Sequence, residues 1–406
     1  MGRSSLIMVL GFSIALILKG FNLSNVASDA YINVVQYYNR AASHNIAAGM
    51  ANMGSNVIYR VPNAFPKWTN VSFGGGTVSL WTITADSAGR VRLTTASNYR
   101  GVLDTVSILW GQSTFSKFAY YSAVEGAINW ASKDTIFGPF HTQDKMTVNG
   151  SPDFKGKVTN KLGMTKNPSS STPVFENGYQ TGIDIPMPSN FTPLKNAAIS
   201  GGKYIHGSDV TITFDSMSTG YMTIKIGAAA ASRVLISTYV PNGALLIDSG
   251  NVRVKGVFKG QLTLSVQSGG KANKGRMYLD SSVAYYRNPL TYVPVPPDLL
   301  GLCAEDSIVI TNNTNNSGNV TIQASLFSLN KGLGVEQYDN GDVRGRINLL
   351  GGVSQAKRAA VGTLDGSGNV NSGFSKSYRY DDRLMVQSPP FYPTTGSYEI
   401  LSWYER

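Results

Sequence analysis

Residues 4–57 read SSLIMVLGFSIALILKGFNLSNVASDAYINVVQYYNRAASHNIAAGMANMGSNV, and this stretch decides the fold. Its first part, Leu6–Leu18, contains only apolar residues, one Gly and one Ser, and it lies between Arg3 and Lys19. A membrane-spanning helix needs about 20 apolar residues, so this run alone has the length of the apolar part of a secretory signal.

A helical pattern continues beyond that run, where a cleaved signal would give way to unrelated sequence. Residues recur every three or four positions on one face of a helix, and all but Asn39 are apolar: Ile32, Val35, Asn39, Ala42, Ile46, Met50, Met53 and Val57. The only charges in residues 4–57 are Lys19, Asp29 and Arg40, whereas a solvated helix carries a charged outer face. We therefore predict one long helix over residues 1–57 that packs against other copies of the chain. The alternative is an ordinary signal followed by an exposed helix.

Such a helix is on the order of 80 Å long, too long for one domain of this chain to bury, so its apolar half must enter a membrane or a bundle. The expected assembly residues are Leu6, Val9, Leu10, Phe12, Ile14, Leu16, Ile32, Val35, Ile46, Met50 and Met53. We also expect a break or a loosened turn at Lys19 and Gly20 in the assembled state, because a charge and a helix-weakening glycine are adjacent there.

The chain after the helix is expected to be mostly β. The stretches TVSLWTIT (77–84), RVRLTTAS (90–97) and VLDTVSILW (102–110) predict an antiparallel β meander within residues 58–127, packed on the second half of the helix.

From residue 128 to 373, apolar residues recur in a fixed local pattern with a small residue at its centre, as in Val252, Val254 and Phe258 around Gly256. The pattern returns roughly every 25 residues, which is the coil length of a solenoid. We predict a parallel β-helix-like domain here, with a loop insertion near 166–232, and a C-terminal segment, 374–406, that docks on it. The fold class is then α+β, mostly β. An antiparallel sandwich with coincidental spacing is the alternative.

Three blocks of the sequence carry a resemblance to a known family: VVQYYNRAASHNIAAGMANMGSNVIYR (34–60), GPFHTQDKMTVNG (138–150) and YRYDDRLMVQSPPFYPTTGSYEILSWYE (378–405). With the long helix, they resemble the type IV pilin superfamily, and most closely its poorly characterised prepilin-like bacterial envelope proteins with a β-helix-like C-terminal region. Pilins usually have a glutamate five residues into the mature helix, whereas this sequence has no acidic residue before Asp29, and Ser5 occupies that place if Met1 is the first mature residue.

The resemblance implies a structural subunit of an extracellular type IV pilus-like filament, a homo-oligomer that is held in the bacterial inner membrane before assembly. The alternative function is a membrane-tethered β-helix adhesin that binds polysaccharide as a monomer. An enzyme of the polysaccharide-lyase type is a third class.

Composition and motifs favour the structural class. The net charge of +11 comes from bases that are spread thinly, which argues against nucleic acid as a partner. The single cysteine, Cys303, cannot form an internal disulfide. No HExxH or GxSxG motif occurs, so we expect no catalytic residues, no cofactor and no enzyme activity. Asp339 and Asp342 form a candidate calcium pair. A second acid pair, Asp381 and Asp382, has Arg379 and Arg383 beside it as expected salt-bridge partners.

Overall fold

A computed structural model describes residues 2–61, 63–85, 90–132, 134–215, 220–365 and 370–405, except the side chain of Leu364. The chain separates into two compact units. One unit runs to Gln112 and also includes the segment from Ser397 onward, and the other is Ser113–Gly396. The prediction of a long N-terminal helix followed by mostly β structure is confirmed.

Helix α1 runs from Arg3 to Arg60 without interruption. Its last turn is closed by the hydrogen bond that the Val61 amide donates to the Val57 carbonyl, at 3.0 Å. The helix is continuous through Lys19 and Gly20 in this single subunit. The predicted break concerns the assembled state and stays a prediction.

One face of the second half of α1 is buried, and its members are mostly small: Ser43, Ile46, Ala47, Met50, Ala51, Gly54, Ser55 and Ile58. The small residues allow a close approach between the helix and the sheet beneath it. A Cβ atom at Gly54 would clash with the side chains of Leu80 and Leu93. At Gly54 the helix is therefore fitted to bulky side chains of the sheet, while Ile46, Met50 and Ile58 supply the bulky contacts of the helix itself.

The sheet beneath α1 is an antiparallel meander of β1 (Trp68–Phe73), β2 (Gly76–Thr84), β3 (Val91–Tyr99) and β4 (Val102–Thr114). The three strands predicted here are present as β2, β3 and β4. Buried hydroxyls also bind the helix backbone: Thr95 Oγ1 donates to the Ala47 carbonyl at 3.0 Å, and Ser97 Oγ donates to the Ser43 carbonyl at 2.7 Å. We call residues 42–60 of the helix, this sheet and its final C-terminal strand the head.

The second unit begins with short strands in three parallel ladders, with coils that recur about every 20 residues. The ladders are β5–β8–β11–β14, β6–β9–β12 and β7–β10–β13. Their bounds are β5 Tyr120–Val124, β6 Trp130–Ala131, β7 Thr135–Ile136, β8 Phe140–Thr142, β9 Met146–Asn149, β10 Asp153–Phe154, β11 Val158–Asn160, β12 Met164–Lys166, β13 Val174–Phe175 and β14 Tyr179–Thr181.

The expected loop insertion near 166–232 is more ordered than predicted. Besides β13 and β14, this region and the residues that follow it contain α2 (Thr192–Ser200), β15 (Lys203–His206), β16 (Val210–Phe214), β17 (Tyr221–Ile226), β18 (Ser232–Leu235) and α3 (Ile236–Tyr239). Strands β15 and β16 pair in parallel with the strands that follow α3, so they belong to the parallel stack. Strands β17 and β18 extend β16 in an antiparallel manner.

The remaining strands of this unit pair in parallel with strands of the neighbouring coils, except β28, which pairs antiparallel with β29. Their bounds are β19 Ala244–Asp248, β20 Val252–Phe258, β21 Gln261–Gln267, β22 Arg276–Tyr285, β23 Leu299–Ala304, β24 Ser307–Ile310, β25 Val320–Ser328, β26 Leu333–Val335, β27 Val343–Lys357, β28 Gly362–Leu364 and β29 Val370–Arg379. The first half of β27 pairs with β29 and its second half pairs with β5, which joins these ladders to the short-stranded coils.

The strand register matches the spacing read from the sequence. Val252 lies opposite Met277, Val320 opposite Ile347, and Leu326 opposite Val353 in neighbouring parallel strands. Gly351 is the small residue at the centre of one of these apolar repeats. It has a φ of +146°, and a Cβ at this position would clash with the Ala324 carbonyl. A backbone conformation that favours glycine therefore explains the small residue at this place.

The C-terminal segment 374–406 does not dock as a whole on the parallel stack, which corrects the prediction. Its first residues complete β29, but β30 (Thr394–Glu405) joins the meander sheet beside β4. Tyr398 is buried there, and its hydroxyl accepts a hydrogen bond from Gln112 Nε2 at 3.2 Å. The predicted border at 127/128 also moves to 112/113, because β5 pairs with parallel strands of the second unit.

Candidate assembly surface

The first half of α1 is an apolar surface that the rest of the described chain leaves exposed. Residues 2–34 are all exposed. The six expected assembly residues in this part retain between 52% and 71% of their accessible surface: Leu6, Val9, Leu10, Phe12, Ile14 and Leu16. Contiguous exposed apolar surface of this kind marks a site of contact with protein or membrane. We call residues 3–34 the exposed helix segment.

The structure divides the expected assembly residues into two groups. Ile32 is 47% exposed and Met53 is 49% exposed, so both are available to a partner, while Val35 is half-buried. Ile46 and Met50 are 3% and 2% exposed and pack in the core of the head. Their assignment to assembly is therefore corrected: they attach the helix to its own head.

The helix α1 is long and apolar enough to cross a membrane, judged by length and composition. It is the one helix among the described residues that meets this test, and the apolar window that meets it is not buried in the chain. A secretory signal near an N-terminus meets the same test. A membrane role and an assembly role are both compatible with this surface.

The candidate calcium site at Asp339 and Asp342 stays a prediction, and the described structure adds no acidic ligand to it. Within the described ranges, no group of three or more His, Cys, Asp or Glu side chains could hold a metal ion, so Asp339 and Asp342 gain no further ligand from these residue types. Asp381 instead pairs with Arg383 at 2.6 Å, and Arg383 also donates to the carbonyls of Pro296 and Asp298. Of the salt bridges expected for this acid pair, the one between Asp381 and Arg383 is present.

The second unit contains a cavity of about 60 Å³ between its short-stranded coils and its longer ladders, lined by Tyr120, Trp130, Asp134, Gln355, Arg358 and Lys376. Space of this size holds a few water molecules. Beside it, Arg358 lies 3.3 Å from Glu125, and both side chains are almost fully buried. The Arg358 guanidinium also stacks 3.9 Å above the Trp130 ring, and Trp130 Nε1 donates to Glu125 at 3.0 Å. Each charge is thus compensated inside the protein.

Replacing Glu125 with Ala is expected to lower the free energy of unfolding by about 3–5 kcal/mol, because Arg358 would be left as an uncompensated buried charge. Urea-induced unfolding measures this change. The matched control is Glu176→Ala, which removes the partly exposed pair with Lys155 and should cost about 1 kcal/mol or less. Equal effects of the two variants would contradict the buried pair.

His141 is a second buried polar group of this unit, and it has no exposed surface. A hydrogen bond of 2.8 Å joins its Nδ1 to Thr159 Oγ1, and its ring stacks on Tyr121. Burial lowers the pKa of His141 from 6.5 to about 4. The imidazole is therefore neutral at physiological pH and acts as a packing group.

This pKa difference predicts a pH dependence of stability. The unfolded chain protonates His141 near pH 6.5 and the folded chain only near pH 4, so stability falls as the pH falls between these values. The expected loss between pH 7.5 and pH 5 is about 2 kcal/mol from this residue. Urea unfolding of wild type and of His141→Gln at both pH values isolates the contribution. A variant with the same pH dependence as wild type would contradict it.

No protein-family model and no curated protein matches the sequence. Among solved structures, the chain is similar to that of the competence-associated pilin ComZ from Thermus thermophilus. The two share 13% sequence identity, the alignment covers 91% of this chain and 97% of that chain, and the TM-score is 0.39. Function has to be inferred from the surfaces of this chain itself.

Proposed function

We propose that this chain is a structural subunit of an extracellular type IV pilus-like filament, built from many copies through the exposed helix segment. The observation that carries the proposal is the row of exposed apolar side chains on residues 6–32, which contains only Lys19 and Asp29 as charges. Burial of apolar surface contributes about 25 cal/mol per Å² relative to exposure to water, so a subunit in a bundle of such helices is strongly held against release into water.

Before assembly, the same segment would hold the subunit in the bacterial inner membrane. A helix that first contacts lipid and then contacts other helices remains in apolar surroundings throughout, which suits its composition. The head and the β-helix-like second unit would face outward. The proposed role requires no catalysis and no cofactor.

The packing of the head supports a helix that is firmly attached to it. Ile46, Met50 and Ile58 are buried against Leu80 and Leu93 in one apolar cluster. Hydrogen bonds from Thr95 and Ser97 to helix carbonyls fix the helix along the sheet. A helix attached in this way can transmit force between a filament core and the units that surround it.

The experiment is negative-stain electron microscopy of material sheared from producing cells, with mass spectrometry of the N-terminus. Filaments composed of this chain that retain residues 6–18 are the expected result. A soluble monomer that begins near Asp29 would contradict the proposal, because the exposed helix segment would then be a discarded signal.

A second candidate is a membrane-tethered β-helix-like adhesin that binds polysaccharide as a monomer. One open groove of about 470 Å³ on the second unit favours it. Across this groove Lys225, Thr211, Arg253 and Tyr278 occupy neighbouring strands in register. Tyr278→Ala should weaken binding to an acidic glycan array under this reading and should leave filaments intact under the first.

A further inference from the structure

Three charges interrupt the otherwise uncharged helix of residues 4–57, and their signs alternate. Lys19, Asp29 and Arg40 are ten and eleven residues apart. On the helix of the single subunit, which is continuous from Arg3 to Arg60, these separations correspond to about 15 Å and about 16.5 Å along the axis. The three charges are therefore almost evenly spaced along the helix axis. The inference drawn from this spacing requires a continuous helix in the filament as well, so a break at Lys19 and Gly20 in the assembled state would overturn it.

All three side chains are exposed, and none forms an ion pair within the described part of the chain. In the proposed filament, neighbouring helices would remove water from this surface. A charge that loses water without gaining a partner strongly disfavours assembly. The partners must then come from other copies, because the segment around these charges is uncharged.

We propose that neighbouring copies pack in parallel with an axial offset of about 15–16 Å, which satisfies both pairs at once. This offset brings Asp29 of one copy beside Lys19 of the next copy, and Arg40 of the first copy beside Asp29 of the next. The inference rests on the proposed filament. It names the register in which the subunits assemble.

The parallel orientation and the offset follow from the charges and the membrane. Copies inserted in one membrane share one orientation, so antiparallel packing does not arise during assembly from it. Parallel copies without an offset would place Lys19 opposite Lys19 and Asp29 opposite Asp29, which repel each other. A shift by one charge spacing converts both repulsions into attractions.

The angular positions allow these contacts. At 100° per residue, Asp29 and Arg40 lie about 20° apart around the helix, and Lys19 lies about 80° from Asp29. One copy can therefore present Asp29 and Arg40 on a single face, while the next presents Lys19 and Asp29 from an adjacent sector. Such a contact joins two different surfaces of neighbouring copies. It can therefore be repeated from copy to copy, as a filament requires.

Charge reversal tests the pairing in the full chain. Asp29→Lys should reduce sheared filaments at least tenfold, since it places three like charges along the contact. The triple variant Lys19→Glu, Asp29→Lys, Arg40→Glu restores the alternation and should return the yield to within about twofold of wild type. Asp29→Glu is the matched control and should assemble normally. Thermal unfolding checks that each variant is folded. We expect an unchanged head in every variant, because the three positions lie outside its core.

A triple variant that assembles no better than Asp29→Lys, while wild type forms filaments, would overturn the offset and leave the proposed function standing. Absence of filaments from wild type would instead reject the proposed function. The two failures are therefore distinguishable.

Cross-linking separates the offset from other arrangements. A chain carrying both Lys19→Cys and Asp29→Cys should give a ladder of covalent oligomers on oxidation, because each copy links to one copy on either side. Antiparallel pairs would give closed dimers alone, and packing without an offset would cross-link Lys19→Cys by itself. Either result would overturn the proposal. Cys303 is fully buried and should not contribute.

Discussion

Replacing Leu10 with Glu is expected to abolish filaments while the stability of the head stays within about 0.5 kcal/mol of wild type. Leu10 is 62% exposed in the single subunit, so the carboxylate costs the folded monomer little. In a bundle of apolar helices the same carboxylate loses its water without a partner. A penalty of several kcal/mol per contact reduces association more than a hundredfold. Electron microscopy of sheared material and urea unfolding of the purified chain measure the two quantities.

The matched control is Leu103→Glu, the same change at a residue of the head that is 73% exposed. It should leave both filament yield and stability unchanged, because Leu103 lies outside the exposed helix segment. Normal filaments from Leu10→Glu would remove this segment from the filament core. Loss of filaments from both variants would mean that the added charge acts in some other way.

Replacing Ile46 with Asp is expected to unfold the head. Ile46 is 3% exposed and lies in the cluster that joins the helix to the meander sheet. Loss of the apolar side chain costs about 2–5 kcal/mol, and the unpaired buried carboxylate adds several more. The sum is comparable to the whole stability of a small domain. Circular dichroism and limited proteolysis of the purified chain should show loss of the native head.

Ile32→Asp is the control on the same helix, since Ile32 is 47% exposed. This variant should keep a folded head and lose filaments, so the two changes separate attachment of the helix from assembly. A folded head in Ile46→Asp would contradict the packing described here. Loss of filaments in Ile46→Asp by itself says nothing about assembly, because an unfolded subunit cannot assemble.

The sequence predicts the helix well and its buried face poorly. Counting large apolar residues selects Ile46 and Met50, but it also selects Met53, which points outward, and omits Ser43, Ala47 and Gly54. At Gly54 the reason is that Leu80 and Leu93 of the sheet fill the space between the layers, and Ser43 forms a hydrogen bond with Ser97 of the sheet. A pattern based on hydrophobicity cannot recognise a helix face that is chosen for its small volume.

The longer ladders were predictable because each strand repeats the same apolar spacing, and the register of Val252 with Met277 follows that spacing. The short-stranded coils were not predicted in detail, because strands of two to five residues, such as Trp130–Ala131, contain too few positions to show a period. The pair of Glu125 and Arg358 had no sequence signal, since the two residues are 233 positions apart. Pairing of β5 with β27 brings them together.

The most direct test of the central claim is an electron cryo-microscopy reconstruction of native filaments at a resolution that shows side chains. We expect Leu6, Leu10 and Ile32 of every copy to lie in a central bundle of parallel helices, with both β-rich units outside it. A filament built through the β-rich units, with residues 6–32 missing or exposed on its surface, would contradict the account.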